Sequence, residues 1–105
     1  MITEELDNDL TIIAARYKNN QADRDFVNLK FAEDCSELSS ELIQKTLHPV
    51  HTVDNSSIID EMGDVLVRFY IRYKLLTEEE QALLKHRISF KITKALERLK
   101  ITTNV

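Results

Sequence analysis

The sequence predicts an all-α domain of four helices, and three observations carry that prediction. Its 105 residues contain one glycine, Gly63, and one proline, Pro49, which leaves almost none of the turn chemistry that hairpins and sheets require. Apolar side chains recur at helical spacing in four separate segments, the period of amphipathic helices and not of strands. Polar residues able to accept hydrogen bonds from the first amides of a helix precede several of these segments. The length fits a single domain spanning residues 1–105 with one core. A chain this short leaves much of its surface exposed, so helices with two apolar faces are expected to be completed by packing between subunits.

The first segment, about Thr3 to Tyr17, places Leu6, Leu10, Ile13, Ala14 and Tyr17 on one stripe, and Glu4 and Glu5 suit the positive end of its dipole. Asn19, Asn20 and Gln21 break the pattern and read as a connection. The second segment, about Asp23 to Leu47, carries Leu29, Ala32, Cys35, Leu38, Leu42 and Ile43 on one broad face. Pro49 and the polar run from Thr52 to Ser57 end it. The third helix is expected to start at Asn55, Ser56 or Ser57, with Ile58, Ile59, Met62, Val65, Leu66, Phe69, Tyr70 and Tyr73 as its core stripe. The fourth begins with a capping box, Thr77 followed three residues later by Glu80, with Glu78 and Glu79 in its first turn. Leu83, Leu84, Ile88, Ile92, Ala95, Leu96 and Leu99 follow at helical spacing, interrupted by Lys91. The tail from Ile101 to Val105 reads as frayed, or as an oligomer contact.

Charge narrows the function. The formal charge is −4, which argues against a stable nucleic-acid partner bound through the whole surface. The stretch to Leu76 holds 14 acidic and 8 basic residues, whereas Thr77 to Val105 holds 4 acidic and 6 basic. Any basic face must therefore come from the last segment. Cys35 is the lone cysteine, so no intrachain disulfide forms, and a packed, buried thiol is expected. No apolar run approaches the roughly 20 residues of a membrane span, and the first residues lack a basic signal region. No membrane association is expected, and the cytoplasm is the expected compartment.

The chemistry sits in two acidic runs. In Lys30-Phe31-Ala32-Glu33-Asp34-Cys35-Ser36-Glu37-Leu38, with Glu41 beyond, the four acids fall within an arc of roughly 100° on one helix face, approximately opposite its apolar side. Such charges are ordinarily a solvated face, and like charges one turn apart repel by a few tenths of a kcal/mol, on the order of 0.3. The third helix adds Asp60-Glu61-Met62-Gly63-Asp64, in which Glu61 and Asp64 point to one side. Gly63 is the only glycine and lies inside this helix, where it costs on the order of 1 kcal/mol relative to alanine. It either lets another helix approach closely or leaves room for a ligand beside the carboxylates. Helices packed about 8–10 Å apart bring facing acids within reach of one ion. Clustered carboxylates supply hard oxygen donors, suited to Mg²⁺ or Mn²⁺ rather than zinc.

Asp34-x-x-Glu37 followed by Glu61-x-x-Asp64 resembles the ExxE and ExxD signature of the MazG-type all-helical nucleoside triphosphate pyrophosphohydrolases. Lys30 to Asp34 and Ile58 to Leu66 are similar to the sequence around those motifs, and the similarity spans roughly Val27 to Lys74. It implies a four-helix domain assembled as a homodimer or homotetramer, with Mg²⁺ (Mn²⁺ as substitute) cleaving a nucleoside triphosphate into a monophosphate and pyrophosphate. Carried over, it makes Glu37, Glu61 and Asp64 metal ligands and puts Asp34 where the family usually has glutamate. The shorter arm points to binding through water, or to Glu33 sharing the task. Glu37, with Glu33 next, is the candidate to orient or deprotonate the attacking water. Lys91, Lys94 and Arg98 resemble, imperfectly, the family's basic residues on the last helix and are candidates for phosphate. Lys30 is a further one unless it pairs with Asp34 one turn later. Arg68, one turn past Asp64, is expected to orient that carboxylate by a salt bridge.

His48 and His51 flank Pro49 and could contact a base, while His86 has no partner suggested by spacing. A diiron bundle would need a histidine from an ExxH pattern on each of two helices, and the sequence has none. The remaining alternatives are a phosphoribosyl-ATP pyrophosphohydrolase and, from another class, a non-catalytic helical oligomer using its acids as a solubilising or partner-binding surface.

Overall fold

The computed structural model describes residues 2–48 and 55–103, with side chains as far as Lys100. Four helices account for its secondary structure: α1 (Glu4–Arg16), α2 (Gln21–Leu47), α3 (Ser56–Lys74) and α4 (Glu78–Thr103). The described residues contain no strand, as expected of a chain with one glycine and one proline. None of the helices is long and apolar enough to cross a membrane.

Local chemistry explains where the helices begin. The Thr3 hydroxyl accepts a hydrogen bond from the Leu6 amide at 3.2 Å, and the Asn20 side chain accepts one from the Asp23 amide at 2.8 Å. Asn20 is thus a cap rather than mere connection, which starts α2 at Gln21. The capping box of α4 is reciprocal: the Glu80 amide donates to the Thr77 hydroxyl at 3.2 Å, and the Thr77 amide donates to the Glu80 carboxylate at 2.9 Å. The start of α3 departs from expectation. Asn55 sits at the cap position but makes no side-chain cap bond, and the Ser57 hydroxyl donates to Glu41 on α2 instead.

The chain forms two compact units, Met1–Leu75 and Leu76–Val105. In the first, α3 packs against both α1 and α2. Its buried residues are Leu10 and Ala14 of α1, Val27 of α2 and Ile71 of α3, with Tyr17, Tyr70 and Leu75 packed around them. Lys74 anchors α3 to α1 through Asp7 at 2.7 Å. Ile71, the most buried residue of α3, falls outside the stripe read from the sequence, while Ile59 and Met62 within that stripe are exposed.

The second unit is essentially α4. It continues helical to Thr103, and Leu83, Ile88, Ile92, Leu96 and Leu99 are exposed along it.

The larger departure concerns α2. The face expected to form the core is turned outward: Leu29, Ala32, Cys35, Leu42 and Ile43 are all exposed, and only Leu38 is half-buried. The side that turns inward is Val27, Phe31, Asp34, Leu38, Glu41 and Lys45, alternating steps of four and three along one helical stripe. Two of these are acids, so counting apolar residues selected the wrong face. Cys35 is accordingly an exposed thiol, not a packed one.

Candidate functional site

The pairing of α2 with α3 sets the geometry of the site. Asn28 accepts a hydrogen bond from the Arg72 guanidinium at 2.7 Å, and Phe31 meets Phe69 edge to face with ring centres 6.3 Å apart. Asp34 pairs with Arg68 at 3.1 Å, and Glu41 accepts from Ser57. Partners ascend α2 as they descend α3, so the helices run antiparallel in fixed register. Between the last two rungs lie Glu37 on α2 and Glu61 and Asp64 on α3. These are the acids singled out from the motifs. An arrangement of distant sequence segments thus becomes a consequence of one helical hairpin.

Glu61 is the focus of that group. Its Oε2 is buried and has no hydrogen-bond partner. Burial first, then Glu37, Asp64, Asp34 and Glu41, hold its carboxyl above the ordinary value of 4.5. The first cause is loss of hydration for the charged form, and the others are like-charge repulsion. An unpartnered buried oxygen is costly unless something positive or hydrogen-bonding satisfies it.

Two expected ion pairs form differently. Arg68 reaches across to Asp34 on the neighbouring helix rather than back to Asp64 on its own. Lys30 pairs with Glu33 at 3.3 Å rather than with Asp34. Geometry favours both outcomes. Asp34 faces α3, with only 14% of its side chain exposed, so a cation on α3 is its natural partner. Glu33 points outward and is left to Lys30. Glu33, the second candidate for activating water, is therefore engaged away from Glu61. Asp34, Asp64 and Arg68, together with Ile13, Val67 and Ile71, line an open cleft of 360 Å³, within the about 300–1,000 Å³ typical of small-molecule sites.

Among the described residues, no other helix approaches Gly63 closely. A methyl group built there would meet no atom within 4 Å outside its own helix backbone. Of the two explanations for an internal glycine, close packing is therefore absent among the described residues. The space beside Glu61 and Asp64 stands open.

On α4, Lys91, Lys94 and Arg98 share a groove with Phe90, Ala95 and Glu97. The Lys94 ammonium lies 5.6 Å from the centre of the Phe90 ring, within range of a cation–π attraction. His48 is exposed just past α2, His86 is exposed on α4, and Pro49 and His51 lie outside the described residues. Ser57 is the participant that sequence reasoning missed as such. It was read as a helix cap, and no spacing rule within one helix could reveal a partner 16 residues away.

A divalent cation fits these donors in kind. The acids offer hard oxygen ligands, and the orphaned Glu61 oxygen is the atom a cation would satisfy. Among the described residues, however, no group of three or more His, Cys, Asp or Glu side chains is placed ready to hold a metal ion. The match is one of donor chemistry and neighbourhood. No protein-family model, curated protein or solved structure matches the chain.

Proposed function

We propose that the protein is a MazG-like, Mg²⁺-dependent nucleoside triphosphate pyrophosphohydrolase that works as a homodimer or homotetramer, with Mn²⁺ able to substitute. The observation that carries the reading is the buried, unpartnered Glu61 oxygen, surrounded by Glu37, Asp64, Asp34 and Glu41. Carboxylates clustered on a net-negative chain would favour a cation, through which a still more negative nucleotide would be held.

In this proposal Glu37, Glu61 and Asp64 hold the ion. When bound, Mg²⁺ neutralises phosphate charge and lowers the pKa of its water. Glu37, whose side chain is exposed, orients the water and takes its proton as the water oxygen bonds to the α-phosphorus. The bond from that phosphorus to the oxygen bridging to the β-phosphate breaks, and pyrophosphate leaves with the bond's electron pair. Lys91, Lys94 and Arg98 are the proposed phosphate donors from α4. Lys30 is a weaker one because Glu33 engages it.

The second reading, a helical oligomeric scaffold, draws on the many exposed large apolar side chains, Leu29, Ile43, Ile59 and Leu83 among them. The purified chain incubated with a panel of ribo- and deoxynucleoside triphosphates, with and without Mg²⁺, separates the two. Metal-stimulated release of monophosphate and pyrophosphate from at least one of them is expected. No turnover across the panel, together with no Mn²⁺ binding, leaves the scaffold.

A further inference from the structure

We propose that Asp34 is a positioning residue rather than a metal ligand, and that it holds the Arg68 guanidinium in the cleft beside Asp64, where Arg68 binds phosphate oxygens of the substrate. The inference rests on the pyrophosphohydrolase reading and deepens it by dividing the four motif acids into three that meet metal and one that meets arginine.

The ion pair itself is the first reason. Asp34 Oδ2 accepts from Arg68 Nε at 3.1 Å, and the aspartate side chain is the more enclosed partner, 14% exposed against 30% for the arginine. Turning Asp34 toward a metal would strand a half-buried guanidinium without its counter-charge, an expensive exchange. The aspartate is also the short-armed member of the four. It reaches the α3 arginine across the hairpin without crossing toward Glu61.

The second reason is the cation's remaining capacity. A guanidinium offers five N–H donors in a planar fork, and the described residues give Arg68 no hydrogen-bond acceptor besides Asp34. With Nε committed, the terminal amino groups are the ones left for a ligand, in the geometry that suits paired phosphate oxygens. Arg68 and Asp64 line the same cleft of 360 Å³ and lie four residues apart on α3, about 6 Å along its axis. A polyphosphate chain can therefore touch a metal held at Asp64 with one phosphoryl group and Arg68 with the next. The third reason is charge: Asp34 neutralises part of Arg68 and fixes its direction, so the arginine neither collapses onto Glu61 nor displaces the cation there.

The test uses the full-length chain and begins with Mn²⁺ alone, measured by calorimetry. Asp34→Asn and Asp34→Glu are expected to keep the wild-type Mn²⁺ affinity within about twofold, whereas Glu61→Gln weakens it by about tenfold or more. Arg68→Gln is expected to leave Mn²⁺ affinity unchanged, to weaken binding of inorganic pyrophosphate in the presence of Mn²⁺ by about tenfold, and to raise KM more than it lowers kcat, with Arg68→Lys recovering part of the loss. Asp34→Asn should weaken pyrophosphate binding in the same direction but less. Helicity and melting temperature accompany each variant. Asp34→Glu retains a carboxylate for Arg68 and keeps the comparison intact if Asp34→Asn does not fold. Loss of Mn²⁺ affinity in both Asp34 variants equal to that in Glu61→Gln puts Asp34 among the ligands and overturns the proposal. Unchanged pyrophosphate affinity and KM in Arg68→Gln overturns the role given to Arg68. In either case a wild-type chain that binds Mn²⁺ and turns over triphosphate keeps the wider reading. A wild-type chain that does neither removes both.

Discussion

The two faces of α2 differ in a way that apolar patterning alone reverses. The face turned toward α3 mixes Val27, Phe31 and Leu38 with Asp34, Glu41 and Lys45, while the opposite side shows Leu29 and Ile43 to solvent, 70% and 55% exposed. A helix that encloses acids and exposes leucines is poorly explained by its own chain's core. On the proposed reading, two separate demands would account for it, an acidic site on the inside and a subunit contact on the outside. A small chain buries a smaller share of its surface by its own fold than a large one does.

The strongest way to break this contrast is on the inner face. Glu61→Gln is expected to reduce metal-stimulated turnover by about 10²-fold or more, because it removes a ligand and its charge together. The same substitution is expected to raise the melting temperature of the metal-free protein, since a buried carboxylate oxygen amid four like-charged neighbours is replaced by a neutral amide. Paired activity and melting measurements read both effects. A fall in both would mean that Glu61 is structural rather than a site residue.

On the outer face, Ile43→Lys or Leu29→Asp is expected to shift the chain toward monomer without changing Mn²⁺ affinity per chain. Each charge raises the subunit dissociation constant by on the order of 10-fold or more, as judged by sedimentation. An unaltered mass distribution in both variants would mean that this face has no partner subunit.

A smaller effect sharpens the boundary between the two demands. Gly63→Ala should stabilise α3 by about 1 kcal/mol, because the added methyl group enters open space and alanine favours a helix. Denaturant unfolding checks the gain. If stability rises while turnover falls, the glycine is kept for the ligand. If turnover is unaffected, the room at this position is not used by the substrate.

The smallest expected effect is in pH dependence. Because the folded chain holds the Glu61 carboxyl above 4.5, it retains that proton where the unfolded chain has released it. The stability contributed by protonated Glu61 is present in full below 4.5 and is lost as pH rises through the raised folded value. Melting temperatures measured from about pH 4 to 8 should therefore show a falling component in the wild type that Glu61→Gln lacks, and saturating Mn²⁺ should suppress it by favouring the ionised form. A wild-type profile that superimposes on that of Glu61→Gln would remove the electrostatic focus assigned to this residue.

Much of this was open to a reader of the sequence, and what was not has definite physical causes. The helices were legible because their periodicity and caps are local, as the Thr77–Glu80 pair shows. The acids were legible as motifs because they lie three residues apart within each helix, Asp34 and Glu37 on α2 and Glu61 and Asp64 on α3. The inward face of α2 was hidden because apolar spacing alone cannot tell a face turned to the core from one turned outward. The Arg68–Asp34 and Ser57–Glu41 pairs were hidden because they depend on the register between helices, while the rules available within one helix see only neighbours three or four residues away. Ile71 shows the same limit from the apolar side: its burial is set by contact with α1 and α2, not by the stripe it interrupts.

The thinness of the interior has one more consequence. Leu10, Ala14, Val27 and Ile71 are the described residues that the chain buries by itself. If assembly supplies the rest, folding becomes a reaction whose order in protein exceeds one, and its midpoint moves with the amount of protein present. Dilution then acts as a denaturant, and newly made chains reach the working state only after enough of them have accumulated.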